Sequence, residues 1–291
     1  LLVMKSANAS VTHSTGIAVS YSAGATLAYE GNSLQTMGNE IQSPGSPPHI
    51  YSVPILEINN TAGVNTPVWQ QIFVTEEIFF KNGILDIGNL NEDFQVTAGR
   101  YSGGSSTSYL NCEHTPLTHK QTGSYTNTYP IGTDLAYTPL EITITGIPIT
   151  DDGIQMTTND GAHPTSSHPS RAVSHFWDIT VPEFTSADLK FGWEAGNEGA
   201  SFDANIGSGV YVGHYGGVTL GWDEHVAAYT TSGTMRYAEI TGYTGSFSPF
   251  GVGAGANALP VELLSFSAQQ EKAEVKLNWT TASEIDNDYF E

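Results

Sequence analysis

Apolar and polar positions alternate with period two along much of the chain, as in Ile17-Ala18-Val19-Ser20-Tyr21, Ala25-Thr26-Leu27-Ala28-Tyr29 and Leu140-Glu141-Ile142-Thr143-Ile144-Thr145. Thr, Val, Ile and Tyr dominate these runs, the pattern of half-buried strands. No segment keeps apolar residues at i, i+3, i+4 and i+7 over about twelve positions without Gly, Pro or a β-branched run, so almost no helix is expected. The chain reads as all-β.

Between Gly16 and about Leu110, short apolar runs are punctuated by Gly24, Gly31, Gly38, Asn59-Asn60, Gly63, Asn82-Gly83 and Gly88-Asn89. That texture suits either the stacked rungs of a β-solenoid, each burying its inward side chains only against its neighbours, or a sandwich of hairpins. No more than two units align at one fixed period. Ser43-Pro44-Gly45-Ser46-Pro47-Pro48 leaves any regular ladder, because proline lacks a donor and fixes φ. A polar, Tyr-rich stretch from Thr115 to Tyr129 separates this half from the next. Strands are then expected at 139–145, 172–181, 188–194, 209–215, 225–230, 235–241 and 245–250, spaced as in an antiparallel β-sandwich. Phe176, Trp177, Phe191, Trp193, Tyr211 and Trp222 are its expected aromatic core. Gly251-Val252-Gly253-Ala254-Gly255-Ala256-Asn257 imitates a dinucleotide fingerprint, but no amphipathic helix follows it, so 251–258 reads as a linker. Beyond it, Leu259–Phe266 and Glu274–Trp279 form two alternating runs, the opening hairpin of an incomplete Ig-like module. The expected organisation is 1–125, 126–250, the 251–258 linker and 259–291.

Composition supports this picture. Thirty-one Gly and 14 Pro favour many turns over long helices. The acids outnumber the bases 30 to 9, and a formal charge of −21 repels nucleic acid and anionic lipid alike. Cys112 is the single cysteine, so no internal disulfide forms. No apolar run approaches the roughly 20 residues of a membrane-spanning helix. The first residue is Leu1, and Glu291 stands beside Tyr289-Phe290, so the chain is expected to be part of a longer precursor.

The motifs of common chemistries are missing. Gly-x-Ser-x-Gly does not occur, nor does HExxH, and the spacing of His163, His168 and His175 fits no one-face helical metal site. His163-Pro164 and His168-Pro169 read as turns. Asp151-Asp152-Gly153 and Asn159-Asp160-Gly161 set oxygen donors beside glycines, which makes Asp151, Asp152 and Asp160 the calcium candidates, although turn geometry already explains them. Glu76-Glu77 and Asp223-Glu224 point to opposite faces of extended chain and form no convincing acid/base dyad. Trp69, Trp193 and Trp222 are candidates for stacking on sugars, against the commoner alternative of core packing. No cofactor and no catalytic set is expected, and the chain is not read as an enzyme.

The run LPVELLSFSAQQEKAEVKLNWTTASEIDNDYFE (259–291) closely resembles the segment that begins the C-terminal region of many Bacteroidota surface proteins exported by the type IX secretion system. Ala25–Gly31 with Gln35–Glu40, and Asn82–Gly88, are similar to phrases in the adhesin-like stalks of such proteins. Ser174–Thr180 resembles the strand opening the sandwich before their sorting region. The resemblance implies an extracellular or cell-surface location and supplies no activity.

The hairpin carries the expected contact. Val261, Leu263 and Phe266, then Val275, Leu277 and Trp279, present an apolar face that two strands alone cannot shelter. It is covered either by the chain's second domain or by a neighbouring copy through strand addition. A head-to-tail contact of the latter kind propagates as a filament. The expectation is therefore an extracellular structural or adhesive protein that self-associates through these residues, with Leu1–Met4 a further candidate. The alternative is a secreted carbohydrate-binding module or a polysaccharide-acting protein.

Overall fold

The computed structural model describes residues 1–5, 21–38, 50–67, 71–88, 94–97, 99–121, 123–147, 153–166, 168–181, 184–216, 222–247, 249–255, 263–271 and 274–281. The fold is mostly β, and its N-terminal part is a solenoid of about four turns, as one of the two sequence readings has it. Strands β1 (Leu2–Met4), β2 (Thr26–Gly31), β4 (Ile50–Asn60) and β6 (Gln71–Asn82) stack in parallel, alternating in sequence with the two-residue strands β3 (Gln35–Thr36), β5 (Val64–Asn65) and β7 (Leu85–Asp86) on a second face. β8 (Phe94–Thr97) and β9 (Arg100–Gly103) both pair with β6, and β10 (Leu110–Asn111) stacks on β7.

Each rung buries apolar residues in register with the next. Leu27, Leu56 and Ile78 are fully buried in one column, and Val64, Leu85, Leu110 and Ile131 in the other. The second column advances by 29 residues from Gln35 to Val64, then by 21, 25 and 21 to Ile131. These unequal steps explain why no fixed period is visible: the solenoid conserves the inward column, and the outward loops absorb the difference. The corners are fastened by side chains. Asn60 donates from Nδ2 to the Ser33 carbonyl at 2.8 Å and to Gln35 Oε1 at 2.7 Å. Asp86 Oδ1 and Asn111 Oδ1 each accept the N–H two residues on, at 2.8 and 3.2 Å, the Asx-turn geometry that makes these residues rung punctuation. The 43–48 insert lies outside the described residues.

The stretch from Thr115 to Tyr129 does not merely separate two halves. It contains β11 (Leu117–Lys120), parallel to β8, and β12 (Gly123–Tyr129). After β13 (Ile131–Gly132), which closes the short-strand column, come β14 (Leu140–Ile147), β15 (Ile154–Asp160), β16 (Ala172–Thr180) and β17 (Ser186–Glu194). One helical turn, α1 (Phe202–Asn205), precedes β18 (Val210–Tyr215), β19 (Trp222–Ser232), β20 (Met235–Tyr243) and β21 (Pro249–Ala254). The result is one mixed sheet of 16 strands running β1-β2-β4-β6-β8-β11-β15-β16-β21-β18-β19-β20-β17-β14-β12, with β9 on the side of β6. Its hydrogen bonding passes from the parallel solenoid to the antiparallel part at the β11–β15 pair.

Along β16 the alternation is strict: Val173, His175, Trp177 and Ile179 are buried, while Ser174 and Phe176 are half-buried and Asp178 is exposed. Trp177 meets Phe191 of β17 at 5.0 Å between ring centroids, and Phe191 meets Phe250 of β21 at 5.4 Å, so the two limbs of the sheet share one core. Trp177, Phe191 and Trp193 are fully buried, as expected of core aromatics. Phe176, Tyr211 and Trp222 are not. They occupy the outward positions of their strands and are only half-buried.

The segment read as a linker begins as strand. Gly251–Ala254 belong to β21, wedged between β16 and β18 and buried throughout. Val252 and Ala254 supply its buried apolar side chains. The hairpin expected near the C-terminus forms. β22 (Leu263–Glu271) and β23 (Glu274–Thr281) pair antiparallel as a separate two-stranded sheet, with Phe266 opposite Trp279 and Ala268 opposite Leu277. A bulge interrupts the register between Leu263 and Ser265. Val275 is 63% exposed. Val261 lies outside the described residues.

Candidate functional site: a cleft where one strand changes partners

β19 is the longest strand of the antiparallel part, and its two ends pair with different neighbours. Residues 222–227 pair with β18, with Tyr215 opposite Trp222, His214 opposite Asp223 and Gly213 opposite Glu224. Residues 228–232 pair with β20, beginning with Ala228 opposite Glu239. Beyond Glu239, β20 continues alongside β17 with Leu189 opposite Ile240, and diverges from the first half of β19. The divergence opens a cleft of about 1000 Å³, walled by Trp222–Val226 on one side and Ile240–Tyr243 on the other, with Thr244–Ser246 at the rim.

The lining has one sign of charge. Asp223, Glu224 and Glu239 contribute carboxylates, His214 and His225 contribute imidazoles, and no Lys or Arg lines it among the described residues. The floor is aromatic and fixed. Tyr243 is buried, its hydroxyl donates to the Ser246 carbonyl at 2.5 Å, and His225 packs edge-on against its ring at 5.3 Å. Burial raises the Tyr243 phenol and lowers the His214 imidazole, whose Nδ1 stands 4.0 Å from Asp223 Oδ2; the Asp223 charge opposes that lowering and His225 adds to it. Trp222 forms one lip. Its Nε1 donates to Thr165 Oγ1 at 3.0 Å, His163 meets its ring edge-on at 5.2 Å, and Tyr215 lies 5.4 Å away. His163 also packs edge-on at 4.9 Å against Phe176, so three outward aromatics and one histidine make a continuous shelf beside the acidic cleft.

The other sequence candidates fall elsewhere. Trp193 is fully buried, its Nε1 bonded to Glu198 at 2.7 Å, and cannot stack on a ligand; Trp69 lies outside the described residues. Asp151 and Asp152 also lie outside them. Asp160 ends β15, where Oδ1 accepts from Thr133 Oγ1 at 2.6 Å and faces the buried His175 Nδ1 at 3.1 Å. The three-ligand grouping on the described surface is Glu113, His114 and Asp134, whose ligand atoms lie within 4.8 Å of one another. Two of these are already engaged: Asp134 Oδ1 accepts from Asn111 Nδ2 at 2.5 Å, and Glu113 Oε2 accepts from the Asp134 N–H at 2.9 Å.

A buried polar network went unseen in the sequence. His119 is fully buried on β11, surrounded by Tyr101, Tyr125 and Tyr129 at 5.5 to 5.8 Å. Tyr129 lies 2.8 Å from His119 Nδ1 through its hydroxyl, and Asn127 Nδ2 lies 3.3 Å away. The Asn127 amide nitrogen can only donate, which makes Nδ1 the acceptor and leaves the hydrogen of the neutral ring on Nε2. Burial pushes the imidazole down to about 4, against the opposing pull of the Gly99 backbone. Because the folded value lies below the ordinary 6.5, the unfolded chain binds the proton more readily. Stability from this group is complete above pH 6.5 and is lost as pH falls towards 4, on the order of 3 kcal/mol in all. Urea midpoints at pH 7 and pH 4.5 should differ less in His119→Gln than in the parent; equal differences would contradict the assignment. Cys112, fully buried, is raised by burial to about 12. Its thiol should resist a disulfide reagent in the native chain and react fully only in denaturant.

Compared with protein-family models, with curated proteins and with solved structures, the chain matches none.

Proposed function

We propose that the chain is an extracellular adhesive protein in which the solenoid is a stiff spacer and the cleft beside β19 is the contact surface. The observation that carries this reading is the cleft itself: a large concavity with convergent polar groups, Trp222 at its lip and Tyr243 at its floor, is where a binding site is first expected. The two limbs around the shared aromatic core are read as an antiparallel β-sandwich, and the β22–β23 hairpin as the opening of an Ig-like module. The secreted location rests on the resemblance of 259–291 to type IX-exported surface proteins. Binding without turnover is proposed.

Beads coated with the chain should be retained under flow on at least one of a set of polysaccharide-, mucin- and collagen-coated surfaces. Retention should be lost when Asp223→Asn, Glu224→Gln and Glu239→Gln are combined. Retention on no surface, or retention indifferent to the three substitutions, would overturn the reading.

A second reading, favoured by the separate two-stranded sheet and by the exposure of Val275, is self-association through Leu263, Phe266, Val275, Leu277 and Trp279 together with Val261. A lone two-stranded hairpin is marginal in water, and a neighbouring copy added along its edge would stabilise it. Sedimentation should show larger species for the full chain than for one ending at Gly255. Two equal monomers would remove this reading.

A further inference from the structure

We propose that Glu113, His114 and Asp134, at the corner that follows β10 and β13, bind one divalent transition-metal ion of the zinc type. None of the three lines the cleft, so the inference stands independently of the contact-surface reading.

The solenoid corner brings the three side chains together. Consecutive side chains of extended chain point to opposite faces, but Glu113 and His114 fall in the bend after β10, and both reach the same point. Asp134 occupies the turn after β13, the next strand of the column, where Leu110 pairs with Ile131 and Asn111 with Gly132. One ligand atom from each residue lies within 4.8 Å of the other two. His114 Nε2 stands 3.7 Å from Asp134 Oδ2. Two ligands on a tetrahedral ion with bonds of about 2.1 Å are about 3.4 Å apart, so this pair needs only a small rotation to share one.

Both carboxylates are oriented through one oxygen. Asn111 Nδ2 donates to Asp134 Oδ1 at 2.5 Å, and the Asp134 N–H donates to Glu113 Oε2 at 2.9 Å, which leaves the other oxygen of each for an ion. Outer hydrogen bonds of this kind fix the ligands of metal sites. His175 is a second, independent sign. Its side chain is 5% exposed, Nδ1 faces Asp160 Oδ1 at 3.1 Å, and Nε2 makes no hydrogen bond among the described residues. Besides Asp160, the carboxylate whose charge reaches this ring is Glu113. Asp160 in turn accepts from Thr133, the neighbour of Asp134. A buried ring nitrogen without a partner calls for a ligand or its water, and Glu113 is the residue that joins the ring to the cluster.

The donor set selects the ion. One imidazole with two carboxylates suits zinc and its neighbours in the first transition row, whereas calcium takes roughly six to eight oxygens and magnesium a near-octahedral oxygen shell. Two carboxylates balance a divalent charge, and a chain of charge −21 draws cations to its surface.

The test is titration calorimetry of the chelator-treated full chain with zinc chloride, repeated with calcium chloride. One zinc site is expected, with a dissociation constant on the order of micromolar and tighter than that for calcium. His114→Ala and Asp134→Asn should each weaken it about tenfold or more. Asp134→Asn keeps an oxygen to accept from Asn111, so it serves should His114→Ala fold poorly. His168→Ala, outside the cluster, should bind zinc as the parent does, and in nitrogen-15 spectra zinc should shift the ring nitrogens of His114 and His175. No zinc binding, binding retained in both cluster variants as scattered surface histidines would give, calcium held more tightly than zinc, or a shift at neither ring would overturn the proposal.

Discussion

Gly83→Ala should destabilise the solenoid by about 4 kcal/mol or more, lowering the thermal midpoint by roughly 8–16 °C. Gly83 turns the corner after β6 with φ +84°, and a Cβ placed there would stand 1.6 Å from the Asn60 carbonyl oxygen of the preceding rung. No side-chain movement relieves this clash, because the obstructing atom is backbone. The Asn60 carbonyl is itself fixed by accepting the Gly63 N–H at 2.9 Å, and the Gly83 N–H donates to the Thr107 carbonyl at 3.1 Å. The strain therefore spreads over three rungs rather than one. Gly24→Ala is the matched control. It has φ +72° with nothing within 4 Å, so only the left-handed backbone penalty of about 1–2 kcal/mol applies. Equal midpoints for the two variants would show that the rungs do not stack as described.

Trp177→Ala should cost about 3–5 kcal/mol through the lost transfer energy and the cavity it leaves, a fall of roughly 6–20 °C in midpoint. Trp177 is fully buried, packs on Phe191, and donates from Nε1 to the Thr138 carbonyl at 3.1 Å, so its removal also orphans a buried acceptor. Phe176→Ala, one residue earlier on the outward face, should cost far less. Chemical denaturation of both reads out which face of β16 is the core. Comparable losses would contradict the shared core between the two limbs of the sheet.

Much of this arrangement is legible from local pattern. The alternation in Leu140–Thr145 and the strand expected at 172–181 give both strands and their buried faces, and Asn or Gly at the rung corners marks turns whose side chains or φ values demand those residues. The partner of each strand is not legible. β16 pairs with β21 across some seventy residues of chain, a choice settled by packing rather than by anything in either segment. The Thr115–Tyr129 stretch misleads because, apart from Leu117, its buried side chains are Thr115, Thr118, His119, Tyr125 and Tyr129, polar or polar-tipped residues that look like loop. Gly251–Ala254 misleads in the opposite way, since glycine-rich sequence suggests a linker where a buried strand sits between two close neighbours.

The cleft was only half legible. Trp222, Asp223 and Glu224 stand out in the sequence, but the divergence that brings them opposite Ile240–Tyr243 depends on β19 being long enough to serve two neighbours. A strand expected at 225–230 has no room for that change of partner, whereas the observed Trp222–Ser232 does.

The proposed function makes this divergence the surface by which the chain holds its target. Amide hydrogen exchange on bead-bound chain, measured free and after retention on the surface that holds it, tests the claim directly. Protection gained at 222–228 and 239–246, with the solenoid rungs at 50–86 unchanged, is the predicted result. Protection gained along the rungs and none in the cleft would contradict it.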